Sequence, residues 1–222
     1  MKIKWFGMSA FLLTAENGVR IVMDPFVADK NILYPEIREQ ADVITISCGH
    51  FSHCNVYAVE GSPYVYKGPG SWEFQGIKFH CVASEHLPMD ENKRVGPGKN
   101  NIICVEIDGI KVCHLGALGY KLTQGQVEEI GKVDILLIPV GGRSTLPLEV
   151  ANRVCRQLNP RIIFPMHYKS ERCTFQTWHS VDEFLKDKEN ITRMGEIGCC
   201  EMEFSKNTFP LEPRIIVLRS VY

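Results

Sequence analysis

The sequence predicts an α/β fold in which β-sheets carry helices on their outer faces. Three observations lead to this class. Short apolar, β-branched runs fill the first half, strands and helices alternate in the second half, and no repeat or low-complexity segment interrupts the order. Meandering strands followed by strand–helix units are satisfied by sheets with helices packed outside them. A length of 222 residues fits one domain of ordinary to large size or two small ones.

Short strands account for most of the first half. The pairs Asn17-Gly18 and Asp108-Gly109 each predict a hairpin between the runs that flank them. The run Asp42–Ile46 (DVITI) is uniformly β-branched and predicts a strand covered on both faces. The predicted strands are Lys2–Phe6, Ala10–Ala15, Arg20–Met23, Asp42–Ile46, Tyr64–Lys67, Ile77–Val82, Ile102–Ile107 and Lys111–His114.

Helices and strands alternate in the second half. Thr123 is a candidate N-cap for a helix to Ile130, and Ser180 is one for a helix that begins at Val181. A longer helix is predicted over Pro147–Leu158 from its apolar spacing. Strands are predicted at Asp134–Ile138, Arg161–Phe164, 201–204 and 214–218. The polar, Gly- and Pro-rich segment 85–101 predicts a long loop, of the kind that often carries function.

Composition sets limits on partners and location. The formal net charge is -1, so no global field favours nucleic acid or a membrane surface, and we expect neither as a partner. No run approaches the length of about 18 apolar residues that spans a bilayer. The N-terminus lacks the cleavage region of a signal peptide, and the nine cysteines are odd in number. We therefore expect a cytoplasmic protein with reduced thiols.

Histidines follow the carboxyl ends of several predicted strands. His50 and His53 come just after the DVITI strand, His86 follows the strand that ends near Val82, and His167 follows Phe164. Side chains at these positions can converge at one rim of a sheet, where open α/β sheets usually bind ligands. Imidazole and thiolate suit divalent transition metals. Three such groups, Cys48, His50 and His53, fall within six residues, and a metal site and simple loop hydrogen bonding are equally compatible with them.

Ordered motifs resemble a known family. DVITISCGHFSHCN resembles the strand and loop that carry H-x-H-x-D-H in metallo-β-lactamase-fold hydrolases. IVMDPF, VCHLGALGY, IPVGG and IFPMHYK are similar to the D-P-F, H-L-G-D-x-G, I-P-V-G-G and P-M-H-Y segments of one branch, the predicted zinc-dependent hydrolases that include ascorbate-6-phosphate-lactonase-like proteins. The resemblance runs from about Lys2 to Lys169. It implies a single domain over residues 1–222, a four-layer αββα sandwich, and a metal site at one edge between the sheets.

The metal motif of this resemblance is incomplete. The positions of the second and third motif histidines, of the later loop histidine and of the final histidine are held by His50, His53, His86 and His167. Three other motif positions have changed. The first histidine is Cys48, the motif aspartate is Ser52, and the bridging aspartate is Ala117. An early histidine of the branch is replaced by Met8. Asp24, in the D-P-F segment, is interpreted as a turn or supporting group rather than a catalyst.

The resemblance therefore implies at most one zinc ion. Cys48, His50 and His86 could hold it with a fourth position open. His53 and His167 remain at the second site, which lacks both carboxylates. In this hypothesis the protein hydrolyses a small ester, lactone or phosphodiester, and His53 or His167 orients the substrate or transfers protons.

Two further hypotheses stay open. The losses at Cys48, Ser52 and Ala117 are compatible with a non-catalytic protein that binds a small molecule or a partner. A thiol-dependent activity would use Cys48 as nucleophile, with a neighbouring histidine lowering its pKa. The identity of the small-molecule ligand is not readable from the sequence, and the edges of this fold are compatible with a homo-oligomer.

Overall fold

A computed structural model describes residues 1–87, 98–194 and 200–220. Within them the strands are β1 (Lys2–Gly7), β2 (Ala10–Thr14), β3 (Arg20–Met23), β4 (Glu39–Gln40), β5 (Val43–Ile46), β6 (Val59–Glu60), β7 (Tyr64–Lys67), β8 (Gly70–Phe74), β9 (Ile77–His86), β10 (Gly98–Ile107), β11 (Ile110–His114), β12 (Ile135–Pro139), β13 (Ile162–Met166), β14 (Ile191–Arg193), β15 (Glu201–Glu203) and β16 (Arg214–Val217). The α-helices are α1 (Gln124–Ile130), α2 (Leu148–Leu158) and α3 (Val181–Leu185).

The first sheet has the strand order β15-β1-β2-β3-β5-β7. The hairpin predicted at Asn17-Gly18 joins the antiparallel strands β2 and β3. β5 pairs in parallel with β3 on one side and β7 on the other, and all four of its residues are buried. The DVITI run is thus an interior strand, as predicted, and its carboxyl end leads directly to Cys48 and His50.

The second sheet has the order β14-β16-β13-β12-β11-β10-β9-β8. β9 and β10 form a long antiparallel pair in which His86 lies opposite Gly98. The loop predicted over 85–101 is therefore too long at both ends. Its first residues, to His86, belong to β9, and its last residues, from Gly98, belong to β10, although most of them are polar. The rest of that predicted loop, residues 88–97, lies outside the described residues.

The helix predictions are confirmed with small shifts at the ends. In α1, the Thr123 hydroxyl accepts a hydrogen bond from the Gln126 amide, and the Gln126 side chain returns to the Thr123 amide, which makes a capping box. Ser180 and Glu183 form the equivalent box at α3. α2 begins at Leu148, so Pro147 is the residue before the helix rather than part of its first turn.

Two groups of buried apolar residues hold the layers together. The larger one fills the space between the sheets and extends under the helices, which contribute residues such as Ala151, Val154 and Phe184. The smaller one covers the outer face of the first sheet. Among the described residues its covering side chains come from loops and isolated bridges, including Phe26, Tyr34 and Trp178, so loops take the place of a helical layer there.

The parallel strands β11, β12 and β13 give the second sheet two chemically different ends. Their carboxyl ends lead to His114, Gly141 and His167, close to the loop after β5. Their amino ends carry Lys111 and Arg161. Among the described residues, no helix combines the length and the apolar character needed to cross a bilayer.

Candidate metal centre

A small cavity lies where the carboxyl ends of β5, β11 and β13 meet. Its volume is about 30 Å³, enough for an ion or a water molecule and too small for an organic substrate. The residues around it combine imidazole, hydroxyl and apolar groups. They are Met8, His50, Ser52, His53, Ala117, Ser144, His167, Phe175 and Trp178. Three of the predicted metal-site histidines, His50, His53 and His167, are thus brought to one place.

Asp24 supports this cavity from behind. Its carboxylate is fully buried and accepts hydrogen bonds from the Ser47 amide at 2.7 Å, from the Ser47 hydroxyl, and from Nδ1 of His53 at 2.6 Å. Burial alone would raise the pKa of Asp24, but His114, His53 and these hydrogen bonds together hold it below its usual value. An ionised Asp24 fixes the proton of His53 on Nδ1 and leaves Nε2 as the free nitrogen.

His114 completes the buried network. Its Nε2 donates to the Ser9 carbonyl at 2.8 Å, and its Nδ1 accepts the Gly116 amide at 2.9 Å. Its Nδ1 also lies 3.9 Å from Oδ2 of Asp24. Burial lowers the pKa of His114 below its usual value, in spite of the charge of Asp24. His114 is therefore a neutral structural group, and both of its nitrogens are occupied.

Ser52 holds His50. The Ser52 hydroxyl and Nδ1 of His50 share a hydrogen bond of 2.7 Å. Burial is the main cause that lowers the pKa of His50, and the neighbouring His53 and His86 lower it further. This imidazole is therefore neutral near pH 7. When the shared proton is on Nδ1, Nε2 of His50 has a free lone pair. The serine that replaces the motif aspartate thus orients a histidine, although it offers no negative charge.

His167 presents the least satisfied polar atom at the cavity. It is 2% exposed, and its Nδ1 is buried without a hydrogen-bond partner. Its ring stacks on Trp178 at 4.2 Å and on His53 at 5.4 Å between centroids. Burial and the neighbouring His53 hold the pKa of His167 well below its usual value. A neutral, unpaired imidazole nitrogen inside a protein indicates a place for an ion or a water molecule.

Two predicted ligands, Cys48 and His86, are not among the residues that line the cavity. Cys48 is buried, and burial together with Asp24 raises the pKa of its thiol to about 12. The Nδ1 of His86 is hydrogen-bonded to the Leu87 carbonyl at 2.6 Å. Its Nε2 lies against Gly98, where a Cβ atom would be only 1.8 Å away. Cys48 and His86 thus flank the site rather than face it.

Imidazole nitrogens dominate the donor set at the cavity. They come from His50, His53 and His167, and imidazole is a usual protein ligand of zinc. Among the described residues that line the cavity, none carries a carboxylate, and Ser52 and Ala117 stand where the resemblance places acidic residues. In the described part of the chain, no three His, Cys, Asp or Glu side chains stand in a geometry that closes around an ion.

Three residues of the site have left-handed backbone although none is glycine. Met8, Asp24 and His167 have φ values of 49°, 46° and 54°. The Met8 carbonyl accepts the His167 amide at 3.0 Å, so two of these residues are tied to each other. Such conformations cost of order 1–3 kcal/mol each and are concentrated at functional sites.

Sequence reasoning did not find two members of this arrangement. His114 was left unassigned because a histidine inside an apolar strand is more often a core residue, and nothing in VCHLGA indicates that it faces Asp24. Trp178 lies far along the chain and belongs to no motif. The interpretation of Asp24 as a supporting group agrees with its contacts.

Comparisons with known proteins place this geometry in context. A family model described as beta-lactamase superfamily domain matches residues 2–167. A metal-dependent hydrolase from Methanobrevibacter smithii is 28% identical over 199 residues, with 77% of this chain and 82% of the relative covered. One from Thermoplasma acidophilum is 26% identical over 193 residues, with 77% and 84% covered.

Solved structures give the same result. A Thermotoga maritima protein assigned to the Zn-dependent hydrolases of the metallo-β-lactamase superfamily is 37% identical and has a TM-score of 0.78. The match covers 97% of this chain and 97% of that one. Igni18, a metallo hydrolase from Ignicoccus hospitalis, has a TM-score of 0.60 at 21% identity, with 82% of this chain and 88% of that one covered, and shows the fold alone. The α/β sandwich predicted from the sequence is confirmed.

Proposed function

The chain belongs to the beta-lactamase superfamily, and on this premise we propose that it is a hydrolase-type protein whose centre holds one zinc ion. The proposed ligands are His50, His53 and His167, which line one cavity of ion size. The observation that carries the proposal is the buried Nδ1 of His167, which has no hydrogen-bond partner among the described residues. An ion that orders the His167 ring would explain why an unpaired polar group is retained there.

The rest of this chain would prepare the ligands. Asp24 holds the ring of His53, Ser52 holds the ring of His50, and Trp178 stacks on His167. Hydrogen bonds to the far nitrogen of a ligating histidine set its tautomer and orientation. Met8 and Phe175 line the same cavity and exclude bulk water from it. A bound zinc ion supplies Lewis acidity and lowers the pKa of a water molecule toward about 7.

The ligand set that the family resemblance implies, Cys48, His50 and His86, remains the competing assignment. In that arrangement His53 and His167 would be free to orient a substrate or transfer protons. It is less favoured, because Cys48 is buried away from the cavity and would have to lose its proton beside Asp24. His86 would also have to leave its contacts with Leu87 and Gly98.

The proposed substrates are small esters, lactones or phosphodiesters. A substrate is larger than the cavity, so its reacting bond would approach from the rim at His50 and Phe51. Phe51 is 39% exposed, and its ring lies 4.3 Å from that of His50.

One observation favours the non-catalytic alternative. Neither Ser52 nor Ala117 can act as a general base near neutral pH. In that case the cavity would bind an ion or ligand without turnover.

Metal analysis of purified protein tests the assignment. After zinc-supplemented expression we expect about one equivalent in the wild type and in Cys48→Ala and His86→Ala, and a large loss in His167→Ala. Loss in Cys48→Ala and His86→Ala, with retention in His167→Ala, would establish the competing ligands. No zinc in the wild type would overturn the proposal.

A hydrolysis assay separates the enzyme from the non-catalytic alternative. The probes are bis(p-nitrophenyl) phosphate, p-nitrophenyl acetate and a γ-lactone, tested on the zinc-loaded wild type and on His167→Ala. Turnover by the wild type alone supports a hydrolase. If the wild type binds zinc but hydrolyses every probe at the same background rate as His167→Ala, the result supports the non-catalytic hypothesis.

We also propose a cytoplasmic location. The eight cysteines that the structure describes are all free thiols, as expected in a reducing compartment.

A further inference from the structure

A second, larger cleft lies at the opposite end of the second sheet from the histidine cavity. Its volume is about 690 Å³, within the range of small-molecule sites. The β10–β11 turn, the segments that precede β12 and β13, and the segment between β15 and β16 surround it. The amino ends of the parallel strands form its floor, so it shares no lining residue with the metal centre.

Positive charge is concentrated in this cleft, although the chain as a whole carries a net charge of -1. The basic residues that line it are Lys111, Lys132, Arg161 and Lys206. The two acidic residues, Glu106 and Asp134, are both occupied with Lys111. Asp134 accepts the Lys111 amide at 2.9 Å, and Glu106 lies 3.8 Å from Nζ of Lys111. Within the described residues, no ion pair joins any of the other three cations to a carboxylate.

Arg161 is held in position by neighbouring groups, and Lys206 lies over a tight turn. The Arg161 guanidinium lies 5.3 Å from the centroid of the Phe209 ring and donates to the Pro210 carbonyl at 2.9 Å. Lys206 crosses the turn at Gly109, where a Cβ atom would come within 2.3 Å of its Cε. Gly109 has a φ of +72°, a backbone conformation that favours glycine.

We propose that this cleft binds a small phosphate-bearing anion. Three cations from three separate segments line one cleft, so an anion that enters it is attracted by all three. Lysine and arginine are the usual protein partners of phosphate, and arginine adds a planar fork that matches phosphate oxygens. Phe209, stacked under Arg161, adds an apolar wall for the organic part of the ligand.

Titration calorimetry at low salt tests the proposal, with inorganic pyrophosphate and ADP as probes. We expect saturable 1:1 binding that weakens about tenfold in Lys206→Ala and at least as much in Lys132→Ala/Lys206→Ala, because each lost charged contact is worth roughly a factor of ten or more. Both lysines are exposed, so these variants should fold, and circular dichroism checks that they do.

Lys121→Ala/Arg153→Ala is the matched control, since Lys121 and Arg153 line a different basic depression on the surface. It should leave the affinity unchanged, and His167→Ala should too. Failure of both probes to bind saturably would overturn the proposal. So would an equal loss in the control, loss of binding in His167→Ala, or tighter binding of a single-stranded oligonucleotide than of either probe.

Discussion

The Nδ1 proton of His53 is donated to Oδ2 of Asp24 over 2.6 Å, and both side chains are buried. Among the residues that the structure describes, Asp24 is the only carboxylate that contacts a histidine of the cavity. It lies behind the ring rather than in the cavity. The orientation of the His53 ring therefore depends on Asp24.

We expect Asp24→Asn to destabilise the fold by about 2–3 kcal/mol. An amide of the same shape removes the charge and turns a donor toward Ser47 or His53, and a hydrogen bond to a charged group is worth about 1.5–3 kcal/mol. Urea unfolding measures the loss. Glu36→Gln is the matched control, because Glu36 is exposed and pairs only with Arg38, so a change of under about 1 kcal/mol is expected. An equal loss of unfolding free energy in Asp24→Asn and Glu36→Gln would contradict a stabilising role for the buried hydrogen bonds of Asp24.

Stability should fall as the pH drops below about 6.5, the pKa of histidine in an unfolded chain. The pKa values of His114 and His167 are lowered in the folded protein, so the unfolded state binds more protons in this range. Their contribution is complete above pH 6.5 and is lost as the pH falls toward the folded values. Two protons give a slope of about 2.7 kcal/mol per pH unit, and His50, whose pKa is also lowered, adds to it.

Urea unfolding at several pH values between 5 and 8, with EDTA present, measures this slope. His167→Gln should remove about one of the two protons from it. A stability that is flat from pH 7 to pH 5 would show that these histidines are accessible to protons in the folded state. Asp24, whose pKa is also lowered, adds to the loss only below its unfolded value of about 3.9.

Ser52→Asp combined with Ala117→Asp should raise the metal content from about one zinc ion to two. The double variant returns carboxylates to both acidic motif positions, beside His50 and His53 at the cavity. Without metal the two buried charges repel and the protein should unfold more easily, and zinc should reverse this. Metal analysis and zinc-dependent melting give the result. A double variant that folds and still holds one ion would mean that the second site has lost more than its carboxylates.

Trp178→Ala should cost about 3–5 kcal/mol and weaken zinc binding, because the indole covers the ring of His167 at 4.2 Å. Trp178→Phe keeps an aromatic face and should preserve most of the zinc affinity. Competition with a chelator measures affinity separately from stability. The hypothesis of a covering role fails if Trp178→Ala binds zinc as tightly as the wild type.

Cys48 should resist iodoacetamide in the folded protein near pH 7.5. Its thiol has a pKa of about 12 and is 5% exposed, so little thiolate is available to react. Mass spectrometry of peptides after native and denaturing treatment identifies the labelled cysteines. Rapid native labelling of Cys48 would revive the hypothesis of a thiol nucleophile.

Local patterns were enough to place most of the fold. The capping residues Thr123 and Ser180 and the buried DVITI strand lie where their sequences indicate, because each depends on neighbours along the chain. The sequence does not predict the strand Gly70–Phe74, since Gly68 and Pro69 directly precede it and Gly70 begins it. Its aromatic residue Trp72 is explained only by the fold, where it stacks on Tyr64 at 4.4 Å across the edges of the two sheets.

The site was harder to predict than the fold. Motif order identified His50, His53 and His167 as neighbours, and they do line one cavity. It could not show that Cys48 and His86 fall outside the lining, because that depends on side-chain direction and on the pairing of His86 with Gly98. Nor could it show His114 beside Asp24, since the two are brought together only when the sheets stack.

Met8, Asp24 and His167 retain a backbone shape that glycine adopts freely and other residues resist. Glycine at Met8 or His167 would relax the backbone, but it would also delete a side chain that lines the cavity. At these two positions the strained backbone and the cavity wall belong to the same residue, so a chain made easier to fold there would have a different cavity.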